Sequence, residues 1–136
     1  MKRIGRLILI GLGVLVVTLA LGYVWGSSGR RTIQTTLGDV QQRLDVAEAR
    51  GLLLEARVNL YNVNFGDASR KFEEAKAPLQ RMRTRYADDG NNESVRRIST
   101  ALEHVDEAQR LAGKLDQAAN SKASEALEAI KVATSR

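Results

Sequence analysis

Residues 46–63 read VAEARGLLLEARVNLYNV, and this stretch carries apolar side chains in two separate rows. The outer row, as we name it below, begins before the stretch and has alternating spacings of four and three: Ile33, Leu37, Val40, Leu44, Ala47, Gly51, Leu54, Val58 and Tyr61. The inner row has the same alternation: Val46, Ala49, Leu53, Ala56, Leu60 and Val63. Such spacing is typical of a coiled-coil-like helix seam. Because the rows lie on different sides of one helix, residues 46–63 are predicted to be sandwiched between two layers.

The rest of the chain downstream is also predicted to be helical. Its apolar residues recur at helical spacing, and glycine, asparagine and aspartate interrupt the pattern at intervals. Asp67 and Ser94 are the expected N-caps of the second and third helices, and Gly66 the expected left-handed terminus of the first. Short connections make successive helices antiparallel. The predicted helices lie at about residues 32–63, 68–87, 94–118 and 122–133.

The two rows lead to different expectations about burial. Leu54 and Val58 of the outer row are predicted to pack between the first two helices, against Phe72 and Leu79, so that Leu54→Ala would cost about 2–5 kcal/mol. The inner row needs another neighbour. Either the third and fourth helices cover it or a second protein does, and the length of the third helix favours internal cover.

An apolar run precedes the helical part. Residues 7–26 carry no charge, and about 20 residues of helix at about 1.5 Å each match the thickness of a bilayer core. We therefore predict a single transmembrane helix over residues 7–26. Its expected lipid contacts are Leu7, Leu12, Val16, Leu21, Tyr23 and Trp25.

Charge at the ends of this run predicts its orientation. Residues 1–6 contain Lys2, Arg3 and Arg6, whereas Arg30 and Arg31 lie in the linker at residues 27–31. The larger basic flank places the N-terminus in the cytoplasm and residues 32–136 outside it, in the periplasm if the cell is bacterial. The alternative is a cleaved signal peptide. The length of the run and the lack of an A-x-A site favour a retained signal-anchor.

Composition limits the function classes. The chain has no cysteine, so disulfides cannot stabilise the exported part. The net charge is +5, but much of the excess lies in the N-terminal flank, so nucleic acid is not an expected partner. The basic residues around the second helix, from Arg70 to Arg97, are interpreted as a solvated face.

Part of the chain resembles a tetratricopeptide repeat. The pattern consists of a bulky residue, then small and aromatic residues at the spacings of that family: Leu52, Ala56, Phe65, Ala68, Phe72 and Ala75. The match covers about 24 residues, and a second copy at the family's period is missing. The resemblance implies a tetratricopeptide-like helical hairpin rather than an array, and a role in protein–protein binding.

No constellation of catalytic or metal-binding residues stands out. Glu103, His104 and Glu107 are neighbours on one helix, but a single histidine cannot complete a carboxylate-bridged metal site. Nucleophile–base pairs and phosphate-binding glycine loops are missing too. The sequence therefore predicts no catalytic residue, no cofactor and no metal, and the chain is not expected to be an enzyme.

The combined expectation is an all-α protein: one transmembrane helix followed by a small antiparallel helical-hairpin bundle. Its expected role is a membrane-anchored interaction or scaffold module, an accessory subunit of a larger membrane complex. Its expected partners are membrane lipid and other membrane or extracytoplasmic proteins, in a homo- or hetero-oligomer. Two alternatives remain, a ligand-sensing helical domain and a secreted helical protein. The candidate partner-binding residues are Ile33, Leu37, Val40, Leu44, Val46, Leu53 and Leu60.

Overall fold

The computed structural model describes residues 37–135, which contain four α-helices and no strand. Helix α1 covers residues 37–61 of the described part. The other three are α2 (Phe65–Asp88), α3 (Asn92–Gly113) and α4 (Ala119–Thr134). The predicted all-α class is confirmed for this part of the chain. The bundle belongs to the unit Gln41–Arg136.

Polar contacts between helices show how α1 lies in the bundle. On one side it meets α2, through ion pairs of Asp45 with Arg85 (3.0 Å) and of Glu55 with Lys71 (2.9 Å). On the other side it meets α4, where the Arg57 Nε donates to the Asn120 Oδ1 at 2.7 Å. A second contact joins α1 to α4, from Arg50 to the Thr134 hydroxyl at 3.4 Å. In both pairs of helices, residue numbers rise along one helix as they fall along the other. Helix α1 is therefore antiparallel to α2 and to α4.

Helix α3 completes the ring opposite α1. It packs against both α2 and α4, and one ion pair joins Lys76 of α2 to Asp106 of α3 at 3.1 Å. At the other face the Ser94 Oγ donates to the Ala133 carbonyl at 3.2 Å. The four helices thus form an antiparallel bundle in which each helix contacts the next and α4 contacts α1.

The core consists of one face from each helix. Helix α1 contributes the inner row, and Ala49, Leu53, Ala56 and Leu60 are fully buried. They pack in one cluster with larger side chains of the other helices, among them Phe72, Leu79, Met82, Ile98, Val105 and Ile130. Alanines interleave with these residues on every helix, which allows close approach of the helix backbones.

The expected burial of Leu54 and Val58 is wrong. Their side chains are 51% and 57% exposed. A helix can turn only one of two nearly opposite faces toward a bundle. Both rows contain large and small side chains, so apolar area alone does not select a face. The observed rotation lets the small Ala49 and Ala56 approach the other helices closely, and it brings the Asp45 carboxylate to Arg81 and Arg85 of α2. Burial of the inner row by the other helices is confirmed for Leu53 and Leu60.

Helix ends differ from the predicted caps. Asn64, not Asp67, caps α2, because its side chain accepts a hydrogen bond from the Asp67 amide. Asn91, not Ser94, caps α3 in the same way. Val63 adopts the left-handed backbone (φ 58°) that was expected at Gly66, and Gly66 lies in the first turn of α2.

The end of α3 also differs from the prediction. The helix stops at Gly113 rather than near residue 118, and Leu115 takes a left-handed conformation (φ 59°) in the connection. Asn120 and Ser121, which lie between the third and fourth predicted helices, belong instead to the first turn of α4, which begins at Ala119.

Several predictions concern residues outside the described part. These are the basic flank 1–6, the transmembrane helix 7–26 with its expected lipid contacts, the linker 27–31, and Ile33. Among residues 37–135, none of the helices combines the length and the apolar character needed to cross a membrane.

Candidate functional site

The outer row of α1 remains on the surface of the bundle. Its large side chains are mostly exposed: Leu44 by 59%, Leu54 by 51%, Val58 by 57% and Tyr61 by 66%. Their spacing puts all four on one stripe of the helix. Single exposed apolar residues are ordinary on protein surfaces, but a continuous stripe is typical of an interaction site.

The two rows occupy nearly opposite sides of α1. At about 100° per residue, the centres of the outer and inner rows are about 160° apart around the helix axis. Ala49, Leu53, Ala56 and Leu60 of the inner row are covered by the other three helices, so the outer row points away from the core. The two ends of the inner row are less covered, since Val46 is half-buried and Val63 is 67% exposed. Apolar side chains of the outer row have no role in the core of the bundle.

Charged residues flank the outer row in an ordered way. Arg43, Arg50 and Arg57 recur every seven residues along one flank, and Glu48 and Glu55 recur every seven along the other. The predictions from apolar spacing do not include this pattern. The seven-residue recurrence of arginine is the sequence signal that reveals it.

The two charged flanks have different neighbours within the chain. The glutamates form ion pairs with α2, Glu48 with Arg81 at 2.5 Å and Glu55 with Lys71 at 2.9 Å. The arginines have no ion pair among residues 37–135; Arg50 and Arg57 instead donate to the neutral oxygens of Thr134 and Asn120. The arginine flank therefore keeps its positive charge uncompensated.

The C-terminal end of the stripe, at Tyr61, interacts with α4. Hydrogen bonds with Asn120 and with Arg57 lower the pKa of the Tyr61 hydroxyl, because both partners favour the phenolate. The ring nevertheless remains two-thirds exposed. Tyr61 is thus oriented by α4 but still available to a partner.

The structure divides the predicted partner-binding residues into three groups. Leu37, Val40 and Leu44 are exposed, Val46 is half-buried, and Leu53 and Leu60 are completely buried. A partner cannot contact Leu53 or Leu60 while the bundle is folded. Leu54, Val58 and Tyr61 take their place as accessible apolar residues of α1.

One buried charge fixes the rotation of α1. The Asp45 side chain is only 2% exposed, and its two oxygens accept from Arg81 at 2.9 Å and from Arg85 at 3.0 Å. The Asp45 carboxylate also raises the pKa of Arg81. Since rotation of the helix would remove Asp45 from both arginines, this cluster holds the inner row against the core.

The clefts of the described bundle are less suited to a ligand. One cleft of about 360 Å³ lies at the end of the bundle near Gln42, Tyr86, Ser94 and Ala133. Its polar groups bond one another: the Gln42 amide donates to the Tyr86 hydroxyl at 2.6 Å. Buried side-chain polar atoms of residues 37–135 all have hydrogen-bond partners. None of them is left unpaired at this cleft.

The other candidate clusters have ordinary structural roles. His104 lies 3.2 Å from a Glu125 oxygen, and within the described residues no group of three or more potential metal ligands occurs. Most basic residues around α2 pair with acidic neighbours, for example Lys76 with Glu73 and Asp106. These pairs agree with a solvated charged face.

Comparison with known proteins gives no relative: neither a protein-family model, nor a curated protein, nor a solved structure matches the chain. The resemblance to a tetratricopeptide hairpin stays a prediction. The function of the protein is therefore inferred from the surface of α1.

Proposed function

We propose that this protein is a membrane-anchored helical interaction module whose outer row on α1 binds an α-helix of a partner protein. The observation that carries the proposal is the stripe of Leu44, Leu54, Val58 and Tyr61, exposed on a helix whose opposite face buries Ala49, Leu53, Ala56 and Leu60 completely. A knobs-into-holes seam is the natural complement of such a stripe. The role is recognition rather than catalysis.

The expected partner has a definite chemistry. It is an amphipathic helix with apolar residues at alternating spacings of three and four, which would cover the stripe. It carries acidic residues opposite Arg43, Arg50 and Arg57 and basic residues opposite Glu48 and Glu55. A partner with this pattern would bury the apolar area and compensate the arginine flank.

The membrane anchor belongs to the same proposal. The apolar run at residues 7–26 supports it, as does the basic flank that precedes the run. An anchor would restrict the module to partners in or beside one membrane, as expected for an accessory subunit of a membrane complex. The residues of the tetratricopeptide-like pattern are used in the core, and we assign them to the hairpin rather than to partner binding.

Site-specific photocrosslinking in intact membranes tests this function. A photoreactive side chain is placed at Val58, with a matched control at Arg83, an exposed residue of α2. We expect adducts from position 58 that mass spectrometry maps to an amphipathic helix, and no such adducts from position 83. Adducts to lipid alone, or equal labelling from both positions, would overturn the proposal.

A further inference from the structure

The identity of the partner helix follows from the positions of the charges around the outer row. In a heptad repeat abcdefg, the apolar seam occupies positions a and d, and positions e and g flank it. The outer row places Leu44, Gly51 and Val58 at a, and Ala47, Leu54 and Tyr61 at d. The same register places Arg43, Arg50 and Arg57 at g, and Glu48 and Glu55 at e.

We infer that the occupant of this stripe is a second copy of the same chain, in parallel orientation, and the inference rests on the proposed function. In a parallel pair of helices, a g residue faces the e residue five positions later in the other helix. Arg43 then meets Glu48 of the second copy, and Arg50 meets Glu55. By the two-fold symmetry each pair occurs twice, so the stripe is complementary to itself.

The opposite orientation is disfavoured by the same residues. In an antiparallel pair, g residues face g residues and e residues face e residues. Arginine would then oppose arginine along one flank, and glutamate would oppose glutamate along the other. Like charges at these positions destabilise the pair. The charge pattern therefore selects one orientation, as well as one partner.

The flanking groups are accessible for such contacts. The side chains of Glu48 and Glu55 are 52% and 59% exposed despite their ion pairs with α2. Arginines of a second copy would add to those pairs and form a network across the interface. On the g flank, Arg50 exchanges the Thr134 oxygen for the Glu55 carboxylate of the second copy, which is a stronger acceptor. The residue five positions after Arg57 is Asn62, so Arg57 keeps its hydrogen bond to Asn120.

One layer of the stripe matches a two-stranded seam, because Val58 at a and Leu54 at d follow the preference of parallel dimers for a β-branched residue at a and leucine at d. Leu44 at a and Tyr61 at d are apolar but do not follow that preference. Ala47 and Gly51 provide little apolar area at the centre of the seam, so the contact on its own is weak. Two chains anchored in the same membrane need only a weak contact, because anchoring raises their effective concentration.

Disulfide crosslinking of the full chain in native membranes tests this inference. The chain has no cysteine, so each single-cysteine variant reports one position. Residues at a and d face their own counterparts in a parallel dimer, and we expect Val58→Cys and Leu54→Cys to crosslink at least about tenfold more than Arg83→Cys. Equal crosslinking at all three positions would overturn the inference.

Charge reversal tests the orientation. Arg50→Glu in the Val58→Cys background turns two attractive pairs into repulsive ones, and we expect crosslinking to fall about tenfold. Adding Glu55→Lys restores opposite charges across the seam and should restore crosslinking. Unchanged or increased crosslinking with Arg50→Glu alone would contradict the inference.

A variant that adds contact across the seam controls for the case in which lower crosslinking results from poor folding. A Cβ at Gly51 meets no atom within 4 Å, so the side chain introduced by Gly51→Ile starts in open space and extends into the centre of the seam. We expect crosslinking at position 58 to rise several-fold. No rise, with the bundle shown to be folded by circular dichroism, would overturn the dimer.

Failure of this inference can be told apart from failure of the proposed function. If position 58 yields no self-crosslink but its photoadduct maps to an amphipathic helix of another protein, the second copy is wrong and the interaction module stands. If position 58 yields neither, both are wrong.

Discussion

The two faces of α1 have similar apolar patterns but opposite environments. On the inner face Leu53 and Leu60 are fully buried, whereas on the outer face Leu54 and Val58 are more than half exposed. Neighbouring leucines in the sequence, Leu53 and Leu54, therefore have different roles. Apolar periodicity shows that a helix has a face to bury, but the neighbours decide whether the chain itself buries it.

The largest expected effect contrasts these two leucines directly. Leu53→Ala should lower the free energy of unfolding by about 2–5 kcal/mol, because it leaves a cavity in a packed core. Leu54→Ala should change it by less than about 0.5 kcal/mol, as is usual for exposed positions. Urea denaturation followed by circular dichroism measures both. Equal losses for the two variants would mean that the assignment of inner and outer faces is wrong.

The next effect concerns the charge that fixes the rotation of α1. Asp45→Asn should cost about 1–3 kcal/mol, because two hydrogen bonds to charged groups are weakened and two arginines lose their buried partner. Glu48→Gln is the matched control on an exposed pair and should cost less than about 1 kcal/mol. The same denaturation experiment compares them. A smaller cost for Asp45→Asn than for Glu48→Gln would show that the buried cluster does not hold the helix.

A stabilising change is expected on the outer face. Gly51→Ala should raise the free energy of unfolding by about 0.5–1 kcal/mol, because alanine has the higher helix propensity and the added Cβ meets no neighbour. Thermal denaturation in a solubilised preparation measures the shift. Destabilisation by Gly51→Ala would mean that the outer face packs against other groups. The two faces of α1 would then not differ in exposure.

The smallest effect is the dependence of stability on acid. Hydrogen bonds from Arg97 and Arg110 lower the pKa values of Glu93 and Glu107. A carboxyl group with a lowered folded-state pKa stabilises the fold above its ordinary pKa and loses this contribution as the pH falls through the lowered value. We therefore expect a small drop in the urea midpoint below about pH 4, which Glu93→Gln reduces. No change in midpoint on acidification would show that these surface pairs contribute nothing.

The sequence contains the patterns that form the site, but the sequence alone does not assign all of them correctly. The outer row was identified by its spacing, but its leucines were expected in the core. The arginines at positions 43, 50 and 57 were visible as a seven-residue recurrence and indicate the orientation of a partner. Caps were misassigned because asparagine and aspartate occur close together, and only backbone geometry shows which side chain reaches a free amide.

For residues 37–135, the sequence by itself determined the all-α class, the existence of four helices and the two-faced character of α1, because helical periodicity and turn residues are local properties. The tertiary structure alone decided which face of α1 turns inward. That choice depends on the fit of Leu53 and Leu60 against α2, α3 and α4 and on the pairing of Asp45 with two distant arginines. Both are contacts between residues far apart in the chain, and local spacing carries no information about them.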